Sequence, residues 1–367
     1  MRANVLNDPA LVKQARQFAW LSIDSDNPVN AAFIAKFPSE GVPFFLVIDP
    51  ATDKPVLSWY GTATAPQLGK LLEDGLRAAN GGGSGADALL AQADKLNGQK
   101  DYAKAAALYE QALQAGGPHW PRRSRAIESL VMADLFGKNH AACAAVAARE
   151  ASAMTRDRSF VNIVDMGLQC AEARSQEMAE LRQLAAEGVK LRGVGSDDIS
   201  GLYDDWAASY RKDKDEAADT RITEEWAAYL KQAIATAPTP EARMSSVLTL
   251  TIAAVRMHKP EVALPEVERA ERDLPDDYNP PYRAARLYIA MGRYDDALAA
   301  CDRAIGKASG LAKLRLYVTR GNVLQSKGDL EAARQTYSDG LQYGRTLPEA
   351  AAAPTIKMLS EALDKAK

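Results

Sequence analysis

The stretch YRAARLYIAMGRYDDALAACDRAI, residues 282–305, and the stretch VTRGNVLQSKGDLEAARQTYSDGL, residues 318–341, decide how this chain folds. In each, a small residue is followed twelve positions later by alanine: Ala285 with Ala297, and Gly321 with Ala333. Four residues beyond the alanine stands a larger side chain, Cys301 or Tyr337, and three further on stands Ala304 or Gly340. A glycine, Gly292 or Gly328, lies between the paired positions, and the two copies are offset by 36 residues. Two helices joined by such a turn can lie close and antiparallel only where small side chains meet, with larger ones filling the holes beside them. One hairpin cannot bury its apolar face alone, so copies must stack.

Further copies lie outward from these two. Thr251, Ala263, Val267, Ala270 and Pro275 repeat the pattern 34 residues before the Ala285 copy. Ala93 and Ala105, with Tyr102, Tyr109 and Ala112, give it again, and Gly137 with Ala142 marks a weaker copy at 123–152. Between about 155 and 240 the periodicity predicts helices, for example over 177–191 and 223–234, without the small pairs. The pattern resembles the tetratricopeptide repeat (TPR) family, whose repeat is 34 residues long with these small positions. That resemblance implies a mainly α fold, a TPR-like α-solenoid of antiparallel helix pairs. Its parts are TPR-like repeats at 86–152, irregular helical hairpins at 153–243, TPR repeats at 244–345 and a capping helix at 346–367.

The resemblance also implies a concave groove, lined by the first helix of each repeat, that holds a protein or peptide. Tyr282, Arg286, Arg315, Asn322 and Gln325 would point into it. Two arginines beside an asparagine suit a carboxylate from a peptide terminus or an acidic side chain, because the guanidinium fork binds it bidentately. The paired lysine and asparagine with which some family members hold chaperones are not reproduced.

The first eighty residues have a different texture. A helix is expected over 9–18, a strand over 19–23, a helix over 30–37, strands over 44–48 and 55–60, and a helix over 66–79 with Leu68, Leu71, Leu72 and Leu76 on one face. The run Gly81-Gly82-Gly83-Ser84-Gly85 reads as a flexible linker. Together with Gly41-Val42-Pro43 before the 44–48 run, this order resembles the later part of a thioredoxin-like domain. The resemblance implies an incomplete α/β segment over 1–80, a cis Val42–Pro43 bond, and a substrate edge at Val42 and Pro43. It lacks the family's C-x-x-C motif and its central strand, since no cysteine precedes Cys143. As given, the chain is therefore expected to have no thiol-redox activity. A strand deleted from the middle of a sheet leaves backbone groups unpaired, which raises the expectation of a longer natural product beginning upstream.

Composition narrows the function. With 45 basic and 48 acidic residues and a net charge of −3, the composition argues against a nucleic-acid partner, which calls for a basic face. No apolar run is long enough to span a membrane. Three distant cysteines do not look like a disulfide framework: Cys143 and Cys301 are expected to pack as small hydrophobes, and Cys170 is given no role. His140 and Cys143 have the spacing of two metal ligands but lack a third and fourth, so no metal or cofactor is expected. His119 and His258 fall in turn contexts and form no hydrolase arrangement. Acid pairs at 197–198, 204–205 and 276–277 are expected near helix starts or on solvated faces, and the basic run at 121–125 at a solvated helix entry. The expectation is a non-enzymatic protein- or peptide-binding scaffold, cytoplasmic as given. The alternative is a thioredoxin-like thiol–disulfide oxidoreductase, periplasmic or exported, whose redox motif lies upstream.

Overall fold

The computed structural model describes residues 5–6, 8–14, 16–24, 27–39, 43–81 and 83–366. Among them it has one β-hairpin and seventeen α-helices. The N-terminal part holds α1 (Ala31–Lys36), β1 (Phe44–Asp49), β2 (Lys54–Tyr60) and α2 (Ala65–Ala79). Helical pairs follow: α3 (Gly85–Gly98) with α4 (Tyr102–Gly116), α5 (Arg123–Phe136) with α6 (His140–Ala153), α7 (Arg158–Cys170) with α8 (Gln176–Gly188), and α9 (Ser196–Lys212) with α10 (Glu216–Thr236). Next come α11 (Pro240–Arg256) with α12 (Leu264–Asp273), α13 (Asn279–Ala290) with α14 (Tyr294–Lys307), and α15 (Gly310–Lys327) with α16 (Leu330–Gly344), before α17 (Glu349–Lys365). The chain forms two compact units, Met1–Trp20 with Glu40–Trp226, and Leu21–Ser39 with Ala227–Lys367.

Six of the pairs turn through one backbone device. The residue closing the first helix takes a left-handed conformation: Lys100 (φ 64°), Lys138 (61°), Lys214 (61°), His258 (54°), Gly292 (70°) and Gly328 (90°). The next residue then returns its N–H to the carbonyl five positions back. Examples are Asp101 to Leu96 at 2.9 Å, Asp215 to Tyr210 at 3.0 Å, and Arg293 to Tyr288 at 2.9 Å. This closure satisfies a carbonyl that the helix end would otherwise orphan. These turns are 34 to 44 residues apart except for the 76-residue step from Lys138 to Lys214, so within 153–243 the α9–α10 pair carries the same closure as the regular copies and the α7–α8 pair does not. In the weak copy at 123–152 the left-handed residue is Lys138, one position after Gly137.

In the first unit, β1 and β2 pair antiparallel, Phe44 opposite Tyr60 and Val47 opposite Leu57, with a register shift after Val47. Helix α2 starts on a reciprocal cap between Thr64 and Gln67, with a proline in its first turn. Its buried Leu68, Leu71 and Leu72 meet Leu57 and Trp59 of β2 and Leu11. The expected thioredoxin-like sheet does not form. Residues 19–23 are not a strand, the expected 9–18 helix is a single 3-10 turn at Pro9–Leu11, and the hairpin is the only sheet among the described residues. The apolar run at 19–23 finds no buried partner face: Leu21 is 74% exposed. Gly81, Gly83 and Ser84 lie within the first unit, and Gly85 opens α3. Beyond them Ala91 packs on Val56 and Ala78, while Asn97 donates to Ser58 at 3.2 Å.

Two further expectations are corrected in this unit. The basic run at 121–125 is bonded rather than solvated: Arg122 donates to Asp74 at 2.9 Å, Arg125 to Asp94 at 2.9 Å, and Arg123 to Glu150 at 2.7 Å. Asp74 and Asp94 are buried, so these contacts offset the cost of removing the carboxylates from water. Cys143 of α6 and Cys170 of α7 are buried and joined as a disulfide, with Cα atoms 6.0 Å apart. Their separation of 27 residues and the odd cysteine count obscured the pair. Closing a loop of this length removes about 3 kcal/mol of unfolded-chain entropy.

In the second unit the small pairs sit where helices touch. Ala285, Ala297, Ala300, Cys301 and Ala304 are fully buried. Gly321 lies so close to the buried Tyr337 ring that a Cβ there would overlap ring carbons. Helix α17 places Ala352 and Leu359 against Leu314, Val318 and Tyr337, covering the last pair.

Candidate functional site

The side chains that packing leaves over on α13 and α15 form the candidate site. Two prolines pre-set the first turn of α13, and Ala284, Ala285 and Leu287 face the core. Tyr282 and Arg283 are half-buried and Arg286 is exposed. Tyr282 rests on a small cluster of Ala304, Ala308, Ala312 and Leu316. On α15, burial of Leu314, Leu316, Val318 and Gly321 leaves Arg315 and Asn322 exposed and Gln325 half-buried.

Tyr337 reaches this strip from α16. Its hydroxyl donates to Asn322 Oδ1 at 2.8 Å, with Gln325 Oε1 at 3.1 Å. The one phenolic proton serves the nearer Asn322 oxygen, which orients that amide and leaves its N–H groups as donors available to a ligand. Sequence reasoning selected Asn322 and Gln325 and assigned Tyr337 to packing, but the hydroxyl links the two roles.

Arg283 was missed. Its Nε is buried without a hydrogen-bond partner, and its guanidinium carbon lies 5.5 Å from the Tyr282 ring centre. Burial, then the neighbouring Arg286 charge, pushes its pKa below the usual guanidinium value. Helical spacing could have paired Arg283 with Arg286, three residues apart, but exposure alone cannot be read from an alanine-rich helix.

Elsewhere the polar groups are engaged structurally. Asp198 accepts from Arg158 at 2.9 Å and from Thr62 at 2.8 Å. Asp165 shares a hydrogen bond with Asp205, and burial, then the Asp205 charge, raises its pKa well above the carboxylate range. Asp277 accepts from the backbone and side chain of Asn279 at 2.8 and 2.9 Å. Burial pushes the Cys301 thiol up to about 12, so it is an inert packing group at neutral pH. A cavity of about 400 Å³ between α14, α15 and α16 is lined by Asp302, Ile305, Tyr317, Arg320, Thr336 and Asp339, with Arg320 held by Asp302 at 2.7 Å. Among the described residues, no group of three His, Cys, Asp or Glu side chains is placed to hold a metal ion. No described helix is long and apolar enough to cross a membrane. Pro43 precedes β1, and its carbonyl accepts from Gly61 N–H at 2.9 Å; Val42, and with it the expected cis bond, lies outside the described residues.

No curated protein matches the chain. A tetratricopeptide repeat protein from Parabacteroides merdae is similar at 12% identity, with 75% of this chain and 98% of that one covered and a TM-score of 0.46. The TPR2AB domain of yeast Sti1 in complex with pHSP90 is similar at 13% identity, covering 77% and 98% of the two chains with a TM-score of 0.31. The Cut9–Hcn1 hetero-tetramer of the APC/C gives 12% identity, 76% and 55% coverage, and a TM-score of 0.34. Tetratricopeptide repeat family models match residues 254–315 and 314–343. The chain therefore carries tetratricopeptide repeats over 254–343, on the helices that bear the candidate strip.

Proposed function

We propose that this protein is a non-catalytic scaffold that holds a protein or peptide segment along Tyr282, Arg286, Arg315, Asn322 and Gln325. The observation that carries the reading is the coincidence of the repeats at 254–343 with a strip of donors and one aromatic ring left over from core packing. The ring offers apolar surface at low entropy cost, and the arginine and amide N–H groups offer fixed hydrogen bonds to an extended chain. No observation favours the oxidoreductase alternative: residues 19–23 do not form the strand on which it rested, and the Cys143–Cys170 bond is buried between helices.

The test is selection of binders to the full chain from a random peptide library, followed by calorimetry on the tightest one. Replacing Arg286 and Arg315 together with alanine is expected to weaken that peptide by more than about 1 kcal/mol. Unchanged affinity would remove both arginines from the site.

A further inference from the structure

Strand β2 has two faces. Leu57 and Trp59 meet Leu68, Leu71 and Leu72 of α2. The alternate residues cross the helical array. Val56 packs on Ala91 of α3, Asn97 of α3 donates to Ser58 at 3.2 Å, and the Tyr60 ring meets Phe136 of α5 edge-on at 4.8 Å. Thr62, just past the strand, donates to Asp198 of α9 at 2.8 Å and accepts from Arg158 of α7 at 3.1 Å. One face of a single extended segment therefore touches the first helices of four successive pairs. Packed helices lie about 8–10 Å apart and a strand advances about 6–7 Å every two residues, so its alternate side chains fall on one helix after another.

The receiving groups are assembled without the strand. Arg158 binds Asp198 through Nε at 2.9 Å and through Nη2 at 3.1 Å, so Thr62 adds a hydroxyl to a pair already made. A hydroxyl fits there because it can donate to the carboxylate and accept from the guanidinium at once. The body formed by the hairpin and α2 is otherwise tied to the array largely by charge, Asp74 to Arg122 at 2.9 Å and to Arg125 at 3.3 Å, and Arg77 to Asp87 at 3.0 Å. Its covalent joint is glycine: Gly81, Gly83 and Gly85 have φ of 97°, 86° and 58°, and a Cβ on Gly81 or Gly85 would meet no atom within 4 Å. A mostly polar contact across an unpacked joint opens at lower cost than an apolar core. We infer that α3, α5, α7 and α9 form a docking face for an extended segment carrying an aromatic residue and, two positions on, a hydroxyl. Strand β2 is its resident occupant, an autoinhibitory strap that an external segment of that pattern must displace. This face uses none of the residues of the 282–325 strip.

The experiment uses the full chain and a fluorescein-labelled peptide of residues 54–64, with Leu57→Lys and Trp59→Thr because those two side chains face α2. The tethered strand competes with the free peptide at high effective concentration, so weakening the tether raises the peptide's apparent affinity by the same factor. Thr62→Val keeps the side-chain shape and removes both hydrogen bonds. By fluorescence anisotropy that variant is expected to bind the peptide at least about tenfold tighter than the wild-type chain does. A peptide that itself carries Thr62→Val is expected to lose the gain. Equal affinity of the two chains for the first peptide, or undiminished binding of the second, overturns the proposal. If circular dichroism shows that Thr62→Val is unfolded, Ser58→Ala, which releases Asn97, replaces it. Its failure to raise peptide affinity is then the contrary result. Because the peptide reads only this face, either outcome leaves the strip at 282–325 to its own test.

Discussion

In the hairpins of residues 244–345, alanines and glycines sit where helices touch and glycine closes the last two turns. In residues 153–243 a hairpin with the same left-handed closure is built from other chemistry. Lys214 takes the left-handed position, and in the preceding pair Gly167 of α7 and Gly188 of α8, 21 residues apart, make the close approaches to neighbouring helices. A Cβ on Gly167 would lie 2.7 Å from that of Ala147, and one on Gly188 would lie 2.6 Å from Leu202. Charge replaces alanine between the helices. Arg158 and Glu128 are buried beside the half-buried Asp198, with Asn162 donating to Glu128 at 2.6 Å. One backbone plan therefore tolerates two kinds of interface, an apolar one that displays leftover polar side chains and a polar one that consumes them.

The largest expected effect is in the polar region. Arg158→Ala leaves the buried Glu128 and the half-buried Asp198 without their cation and is expected to cost about 3–5 kcal/mol in chemical denaturation. A loss under about 1 kcal/mol would mean that this interface is not held by charge.

In the repeats the corresponding weak point is steric. Gly321→Ala drives a methyl into the Tyr337 ring and is expected to cost about 3 kcal/mol and to disturb the Tyr337 contact with Asn322 and Gln325. Full stability in that variant would show that α15 and α16 can separate freely.

Glu128 sharpens the contrast through pH. Burial raises its pKa to about 7, against Arg158 and Asn162, which lower it. The folded state therefore holds the proton more tightly than the unfolded chain. That contribution is complete below about pH 4.5 and is lost as pH rises through about 7. Relative to Glu128→Gln, the wild-type chain is expected to lose on the order of 2–3 kcal/mol across that window. Parallel stability profiles for the two proteins would contradict the assignment.

The turns give the smallest effect. A lysine in left-handed backbone costs about 1 kcal/mol, so Lys214→Gly is expected to raise stability by about that much, and Gly328→Ala to lower it by as much. Negligible changes in both variants would mean that left-handed backbone at these turns carries no such cost.

These differences explain what could be read in the sequence. Gly292 and Gly328 mark their turns because glycine is the residue that left-handed backbone favours. Lys100, Lys138, Lys214 and His258 adopt the same conformation under tertiary constraint, which their side chains do not advertise. The 12-residue spacing of Ala285 and Ala297 is visible as a period, whereas Gly167 and Gly188 contact neighbours at other spacings. The hairpin strands were legible from an apolar run and the turn residues after it, and α2 from the Leu68 face, but residues 19–23 show that an apolar run of strand length needs a neighbouring edge to become a strand. In the candidate strip, helical position picked out Tyr282, Arg286, Arg315, Asn322 and Gln325. The unpartnered Nε of Arg283 is a three-dimensional fact that sequence spacing does not contain.

The most direct test is hydrogen–deuterium exchange of the full chain with and without a library-selected peptide. The account predicts added protection on α13 and α15, centred on 282–286 and 315–325, with residues 153–243 unchanged. Protection confined to 153–243, or to the β1–β2 hairpin, would contradict it.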